Sequence, residues 1–381
     1  MLQKDELSQT GGPIDLEKNG HGGNWAAAEE AFGRKAGERL DFSANINPLG
    51  PPPALRHMLL DEWDYITRYP DPEVRELRQA ISSKYGVPFD SILVGNGAAE
   101  LIDLLPRALR FRRAAVTDPT FSEYREALEK AGADVVSVTS SPEERFRIEP
   151  SKLIDVLPQV DALFLGQPNN PTGERRERDE LRELARQAHK HGAKLVLDEA
   201  FADFFPDESN VTMIREAAAS EHIVVIRSMT KFYAIPGLRL GFIVAGPAMI
   251  RELRRLQMPW SVNHFAQKAG VLALQDHEYE RRTRELIAVE RSWLQNRLYG
   301  LGCTAFDSVA NFLLVALGPS HIPANEMQRR LAEQGIFIRR CATFIGLDDR
   351  YFRIAVRTRP ENERLVAALA ASLLGGGETA T

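Results

Sequence analysis

Lys231 is one of ten lysines in the chain and stands in Arg227-Ser228-Met229-Thr230-Lys231, after one apolar run and before Phe232-Tyr233-Ala234-Ile235. Most lysines are solvated surface groups. Desolvation at this position would lower the amine's pKa and make it a nucleophile toward a carbonyl. Asp198 closes Leu195-Val196-Leu197, a run expected to be a strand buried on both faces, where an ionised carboxylate needs a cation or several donors. By itself it could equally be a helix cap or half of an internal salt bridge. Gly95-Asn96-Gly97-Ala98-Ala99-Glu100 follows another such run and opens a helix over Ala98–Leu109, so free N–H groups and the positive helix end face whatever lies beyond. A phosphate suits that position. The dinucleotide fingerprint fails, because its third glycine is Glu100 here, and no Walker A sequence exists in the chain.

Arg239 lies eight residues beyond Lys231, and Gln167-Pro168-Asn169-Asn170-Pro171-Thr172-Gly173 sets two amides in a rigid turn. No one of these elements is specific, and a Gly-rich turn without a ligand stays open for residues 95–100. The ordered set is specific. A helix N-terminus with Ser228, Thr230 and Arg239 for a phosphate, Asp198 for a ring cation, an amide of the 167–173 turn for a phenolate oxygen and Lys231 for an aldehyde together describe pyridoxal phosphate.

The elements that must position these groups follow from periodicity. From about residue 74, helix-length amphipathic stretches alternate with short apolar runs that end in Gly, Asp, Asn or Ser, the pattern of βα units. The runs are 91–94, 114–117, 134–138, 162–165, 194–197, 223–226 and 238–244. Seven such strands imply an α/β fold with a mostly parallel sheet covered on both faces, whose ligands bind at the carboxyl ends of the strands. A long helical stretch is expected over 263–299. Beyond it, strands near 311–316, 336–339 and 351–356 and a closing helix near 361–374 predict a smaller α+β domain. The resulting division is an N-terminal arm over 1–20, a small domain from 21–60 and 291–381, and a large domain over 61–290.

The 381 residues carry 48 Lys and Arg against 53 Asp and Glu, a net charge of -5 that supplies no basic footprint for nucleic acid or an anionic membrane. No segment approaches the roughly 18 apolar residues of a membrane span, and the first thirty residues have no signal-peptide core. Cys303 and Cys341 cannot build a disulfide framework, which favours a reducing, cytoplasmic setting. These cysteines lack ligand spacing, and His189 and His191 sit two apart on an expected helix, so no metal is expected.

Together these residues resemble the fold-type I, pyridoxal-phosphate-dependent enzymes of the aspartate aminotransferase superfamily, class I/II, over roughly 21–375. Within it, His21-Gly22-Gly23-Asn24, Asp41–Gly50, Arg68-Tyr69-Pro70-Asp71, Lys231–Gly241 and Gln257-Met258-Pro259-Trp260-Ser261-Val262-Asn263 are similar to the threonine-phosphate decarboxylases of cobalamin biosynthesis, with the histidinol-phosphate aminotransferases next nearest. The resemblance implies that Lys231 holds the cofactor covalently, that Asp198 pairs with its ring nitrogen and that Asn170 donates to its O3′. It implies that Ser228, Thr230, Arg239 and the amides around Gly97, Ala98 and Ala99 hold the phosphate, that Phe121 stacks on the ring, and that Tyr69 reaches the phosphate from a partner subunit of a homodimer. Arg353, Arg339 and His21 resemble substrate-binding positions, and guanidinium forks match carboxylate and phosphate alike. One departure stands out. Many aminotransferases have Tyr three positions after the Asp, whereas Phe201 stands here and removes one donor to O3′.

Two functions on this scaffold compete: a lyase releasing CO2 from L-threonine O-3-phosphate, which leads, and a histidinol-phosphate aminotransferase. A non-catalytic scaffold is disfavoured, because Lys231, Asp198 and Asn170 are all present.

Overall fold

The computed structural model describes residues 22–26, 29 and 39–374. The expected 1–20 arm and His21 lie outside the described residues. Among the described residues the strands, in chain order, are β1 (Leu40–Asp41), β2 (Ile92–Gly95), β3 (Arg113–Asp118), β4 (Asp134–Thr139), β5 (Ala162–Gly166), β6 (Lys194–Asp198) and β7 (Ile223–Ser228). They continue with β8 (Gly241–Ala245), β9 (Thr304–Ala305), β10 (Phe312–Ala316), β11 (Ile336–Phe337), β12 (Arg339–Arg340) and β13 (Tyr351–Ala355).

Seven of these form one sheet in the order β2-β8-β7-β6-β5-β3-β4. Its β4-β3-β5-β6-β7 ladder is parallel, and β8 runs antiparallel to both of its neighbours. Side-chain alternation explains the double covering. Leu195 and Leu197 of β6, with Leu163, Leu165 and Val225, enter one apolar core, while Val196, Phe164, Val224 and Ile226 enter another on the opposite face. A smaller antiparallel sheet, β12-β13-β10-β9, has its own core around Leu313, Val315, Phe352, Ile354, Leu294 and Leu369. The two-residue parallel pair of β1 with β11 ties the chain near residue 40 to this part.

Three expectations shift in detail. The strand expected from residue 238 begins at Gly241, because Arg239 takes a left-handed φ of 60° that breaks the extended run. The helix expected over 263–299 is two helices, His264–Gln275 and His277–Gly300, with Asp276 between them capping the second through Tyr279 N. The run 336–339 divides at Ile338, so that β11 pairs with β1 and β12 pairs with β13.

Candidate active site

A cavity of about 990 Å³ lies beyond the carboxyl ends of the parallel strands and is closed on one side by β12, β13 and the 41–46 segment. Strand alternation chooses what faces it. Asp198 is turned into the cavity, whereas its neighbour Glu199 faces away and accepts from Arg227 Nε at 3.0 Å. In the same way Ser228 lines the cavity while Arg227 is buried behind it.

Lys231 sits in a single helical turn, Met229–Phe232, directly after β7, and its Nζ donates to Ser228 Oγ at 3.1 Å. The Ser228 and Thr230 hydroxyls are themselves 2.8 Å apart. Burial pushes the Lys231 amine below the ordinary lysine range; the Asp198 charge opposes this, and the guanidinium groups of Arg239 and Arg353 add to it. Asp198 is buried too, which raises its carboxyl above the usual range against the lowering effects of the Tyr124 hydroxyl, the Lys231 charge and the Ala200 N–H. The contacts are short: Tyr124 Oη donates to Oδ2 at 2.7 Å and Ala200 N to Oδ1 at 3.0 Å.

The helix Ala98–Leu109 begins at the expected residue, with Gly97 as its N-cap at φ 82° and ψ 164°, a conformation open to glycine alone. A Cβ on Gly97 would stand 2.7 Å from Arg239 Nη2, so the missing side chain is what lets the guanidinium approach the helix end. Gly241 does the same on the other side, since a Cβ there would stand 2.7 Å from Ala98 N. Together with Ser228, Thr230 and Arg239, which line the same cavity as Ala98 and Ala99, this makes a cradle for an anion.

The turn after β5 separates its two asparagines. Asn169 is consumed by the loop, accepting from Thr120 Oγ1 at 2.8 Å and donating to Pro119 O and Thr172 Oγ1 at 2.9 Å each. Asn170 lines the cavity, and its Oδ1 accepts from Arg353 Nη1, which leaves Nδ2 as its donor end. Arg353 Nη2 also donates to Ser43 O at 2.7 Å. Arg339 donates to Thr343 Oγ1 at 3.0 Å. Arg339 and Arg353 are direct cross-strand partners in the β12-β13 ladder, are both buried, and both line the cavity.

Phe121 and Phe201 also line the cavity. Phe121 meets Tyr124 edge-on at 5.7 Å, and Phe201 packs edge-on against Phe312 at 5.0 Å with Lys231 Nζ 5.9 Å from its ring centre. Tyr69 stands apart. It is 82% exposed, packs on Trp260 at 4.9 Å and does not line the cavity. Sequence reasoning missed Tyr124 and Gly241. The signal for Tyr124 was its position three residues after Phe121 on the helix that follows β3, the same face of the first turn. Gly241 carried none beyond being a glycine within the run 238–244.

Residues 38–369 match the model of the family "Aminotransferase class I and II". A threonine-phosphate decarboxylase of Salmonella typhimurium is 41% identical over 362 residues, 94% of this chain and 98% of that protein. Among solved structures, the histidinol-phosphate aminotransferase of Clostridium acetobutylicum has a TM-score of 0.81 at 31% identity, covering 87% of this chain and 98% of that one. The L-threonine-O-3-phosphate decarboxylase of Porphyromonas gingivalis has a TM-score of 0.76 at 26% identity, covering 86% and 97%. With a half-buried lysine, a strand-end carboxylate and an anion cradle in one cleft, and a match across most of its length, the chain belongs to the class I and II aminotransferase family.

Proposed function

We propose that this chain is a pyridoxal-phosphate-dependent carboxy-lyase that converts L-threonine O-3-phosphate to (R)-1-amino-2-propanol O-2-phosphate and CO2, in cobalamin biosynthesis. The residues fit the cofactor. The cradle at the helix end beside Gly97 suits its phosphate, with Ser228, Thr230, Arg239 and the N–H groups at Ala98 and Ala99 as donors. Asp198 is the residue for the ring nitrogen, Asn170 Nδ2 for O3′, Phe121 for the ring face and Lys231 for the aldehyde. When bound, the cofactor supplies an electron sink for a bond broken at the α-carbon of an amino acid.

The chain's own groups do the rest. The depressed pKa of Lys231 keeps a larger share of its amine uncharged, both for attack on a carbonyl and for carrying a proton to and from the α-carbon. Burial makes Asp198 costly to ionise alone, so a cationic ring nitrogen beside it is strongly favoured. Phe201 offers no hydroxyl, which leaves Asn170 as the donor for O3′ from this pair. His21, with Arg339 and Arg353, completes the substrate set in this reading.

The observation that carries the substrate class is the pair of buried guanidiniums, Arg339 and Arg353, opposite one another across two strands at one wall of the cavity. Two cations held so close suit a dianionic phosphate. The Salmonella relative named for threonine phosphate supports the same substrate.

In this proposal the protein acts as a homodimer in the cytoplasm, with Tyr69 reaching the neighbour's cofactor phosphate. Exposed Leu60, Trp63, Ile66, Tyr69, Met258 and Trp260 support that association. No helix among the described residues is long and apolar enough to cross a membrane. The large domain, 61–290, carries the cofactor, and the smaller one, 21–60 with 291–381, brings the arginines.

Incubation with L-threonine O-3-phosphate and no 2-oxo acid tests this, with CO2 and the amino product measured together. Turnover that needs 2-oxoglutarate, or faster reaction of histidinol phosphate without CO2, supports the aminotransferase alternative instead.

A further inference from the structure

Residues Gln257–Asn263 do not line the cavity, yet both ends of this stretch hold the anion cradle from outside. Gln257 caps the helix Pro247–Leu256, and its Nε2 donates to Val94 O at 2.9 Å and lies 3.5 Å from Glu100 Oε2. Glu100 in turn folds back over the loop and accepts from the Asn96 N–H. Space for that fold exists because residue 95 is glycine; a Cβ there would stand 2.7 Å from Glu100 Oε2 and 2.6 Å from Leu101. The Gly95–Gly97 loop is therefore fixed by a link from Gln257 through Glu100.

The other end acts on the other wall. Asn263 is the N-cap of the helix His264–Gln275, its Oδ1 accepting from Ala266 N at 2.8 Å. Its Nδ2 donates to Leu238 O at 3.0 Å, one residue before Arg239. Arg239 holds a left-handed φ of 60°, a strained setting for a residue with a Cβ that persists only when its surroundings enforce it. The two walls meet where Gly97 and the Arg239 guanidinium come together.

We infer that Gln257 and Asn263 are positioning residues of the cofactor-phosphate site, Gln257 setting the glycine loop through Glu100 and Asn263 setting the arginine. This rests on the reading that the cavity takes pyridoxal phosphate. The effect is confined to the phosphate, since neither residue touches the part of the cavity that holds Asp198, Asn170 or Lys231.

The test compares pyridoxal phosphate with pyridoxal, which lacks the phosphate, by titrating each into the cofactor-free full chain and following visible absorbance. Gln257→Met keeps the side chain's size and loses its donors; Asn263→Ser keeps a good helix cap and cannot reach Leu238 O. Each is expected to weaken pyridoxal phosphate by about tenfold, the worth of one hydrogen bond at the upper end, with pyridoxal affinity unchanged. Glu100→Ala breaks the loop link from its other end and replaces Gln257→Met if that variant does not fold. Unchanged pyridoxal phosphate affinity in these variants overturns the inference, as does an equal loss for pyridoxal, which would mark a general loosening. A wild type that binds neither compound sinks the cofactor reading, and this inference with it.

Discussion

Tyr124→Phe removes one hydroxyl from a buried site and should change how stability depends on pH. In the wild type that hydroxyl lies 2.7 Å from Asp198 Oδ2, with both side chains buried. Burial already raises the Asp198 carboxyl, and the hydroxyl is the first of the influences that hold it down. A hydrogen bond to a charged group contributes about 1.5–3 kcal/mol, so its loss should raise the folded-state pKa further. The unfolded pKa does not change. The extra cost is therefore full where pH exceeds the variant's folded pKa, and it shrinks as pH falls toward the wild-type folded value, where the carboxyl is protonated in both proteins. Denaturant unfolding of the cofactor-free proteins between about pH 5 and about pH 8 reads this difference directly. The variant should be weaker by about 1.5–3 kcal/mol at the upper end of that range and closer to the wild type at the lower end. A variant no weaker than the wild type even at the upper end of the range would mean that Asp198 is not ionised in the cofactor-free fold, and the argument from its charge would be wrong.

Borohydride reduction of the cofactor-loaded protein should label Lys231 and no other lysine in a peptide map, and label on any other peptide would remove it from its assigned role. Gly97→Ala places a side chain at φ 82° and 2.7 Å from Arg239 Nη2, a backbone cost of about 1–3 kcal/mol before the guanidinium is displaced. Its pyridoxal phosphate affinity should fall by at least about tenfold in an absorbance titration. Mixing inactive Tyr69→Ala chains with inactive Lys231→Ala chains should restore some activity through hybrid dimers with one intact site, and no rescue after verified subunit exchange would place the site within one chain. Arg339→Ala and Arg353→Ala should each raise KM for L-threonine O-3-phosphate, at a cost of a few kcal/mol at most (roughly 2–5), and both should discriminate less against unphosphorylated threonine. Steady-state kinetics with the two substrates measure that discrimination.

Much of this was legible because the sequence signals were local. The run Leu195-Val196-Leu197 is apolar at every position, which is the mark of a strand covered on both faces, and its end at Asp198 then falls at the sheet's carboxyl edge. The start of the helix at Ala98 was equally plain from its glycines. What was hidden is pairwise and distant. Tyr124 and Asp198 are 74 residues apart, and Arg353 and Asn170 are 183 apart, so no spacing rule joins them. The break at Arg239 was hidden for another reason: Leu238 and Leu240 alternate as a strand would, and it takes the distant side-chain bond from Asn263 Nδ2 to Leu238 O to show how the chain is held where it turns before Gly241.

The arrangement of the arginines bears on which bond at the α-carbon is broken. Arg353 is pinned between Asn170 Oδ1 and Ser43 O, so its guanidinium has little freedom to follow a moving substrate. Arg339 is its cross-strand partner, and the two therefore present charge to one region of the cavity. If the substrate phosphate occupies that region, its carboxylate must lie elsewhere, away from that pair. A carboxylate that is weakly stabilised in the ground state departs more easily as CO2, because only interactions stronger in the transition state than in the ground state accelerate a reaction. A carboxylate clamped by the same arginine pair would gain binding and lose that advantage. With the phosphate bound there, the buried arginine pair would favour decarboxylation through where it leaves the carboxylate, and the phosphate on the substrate would be what keeps the pair occupied.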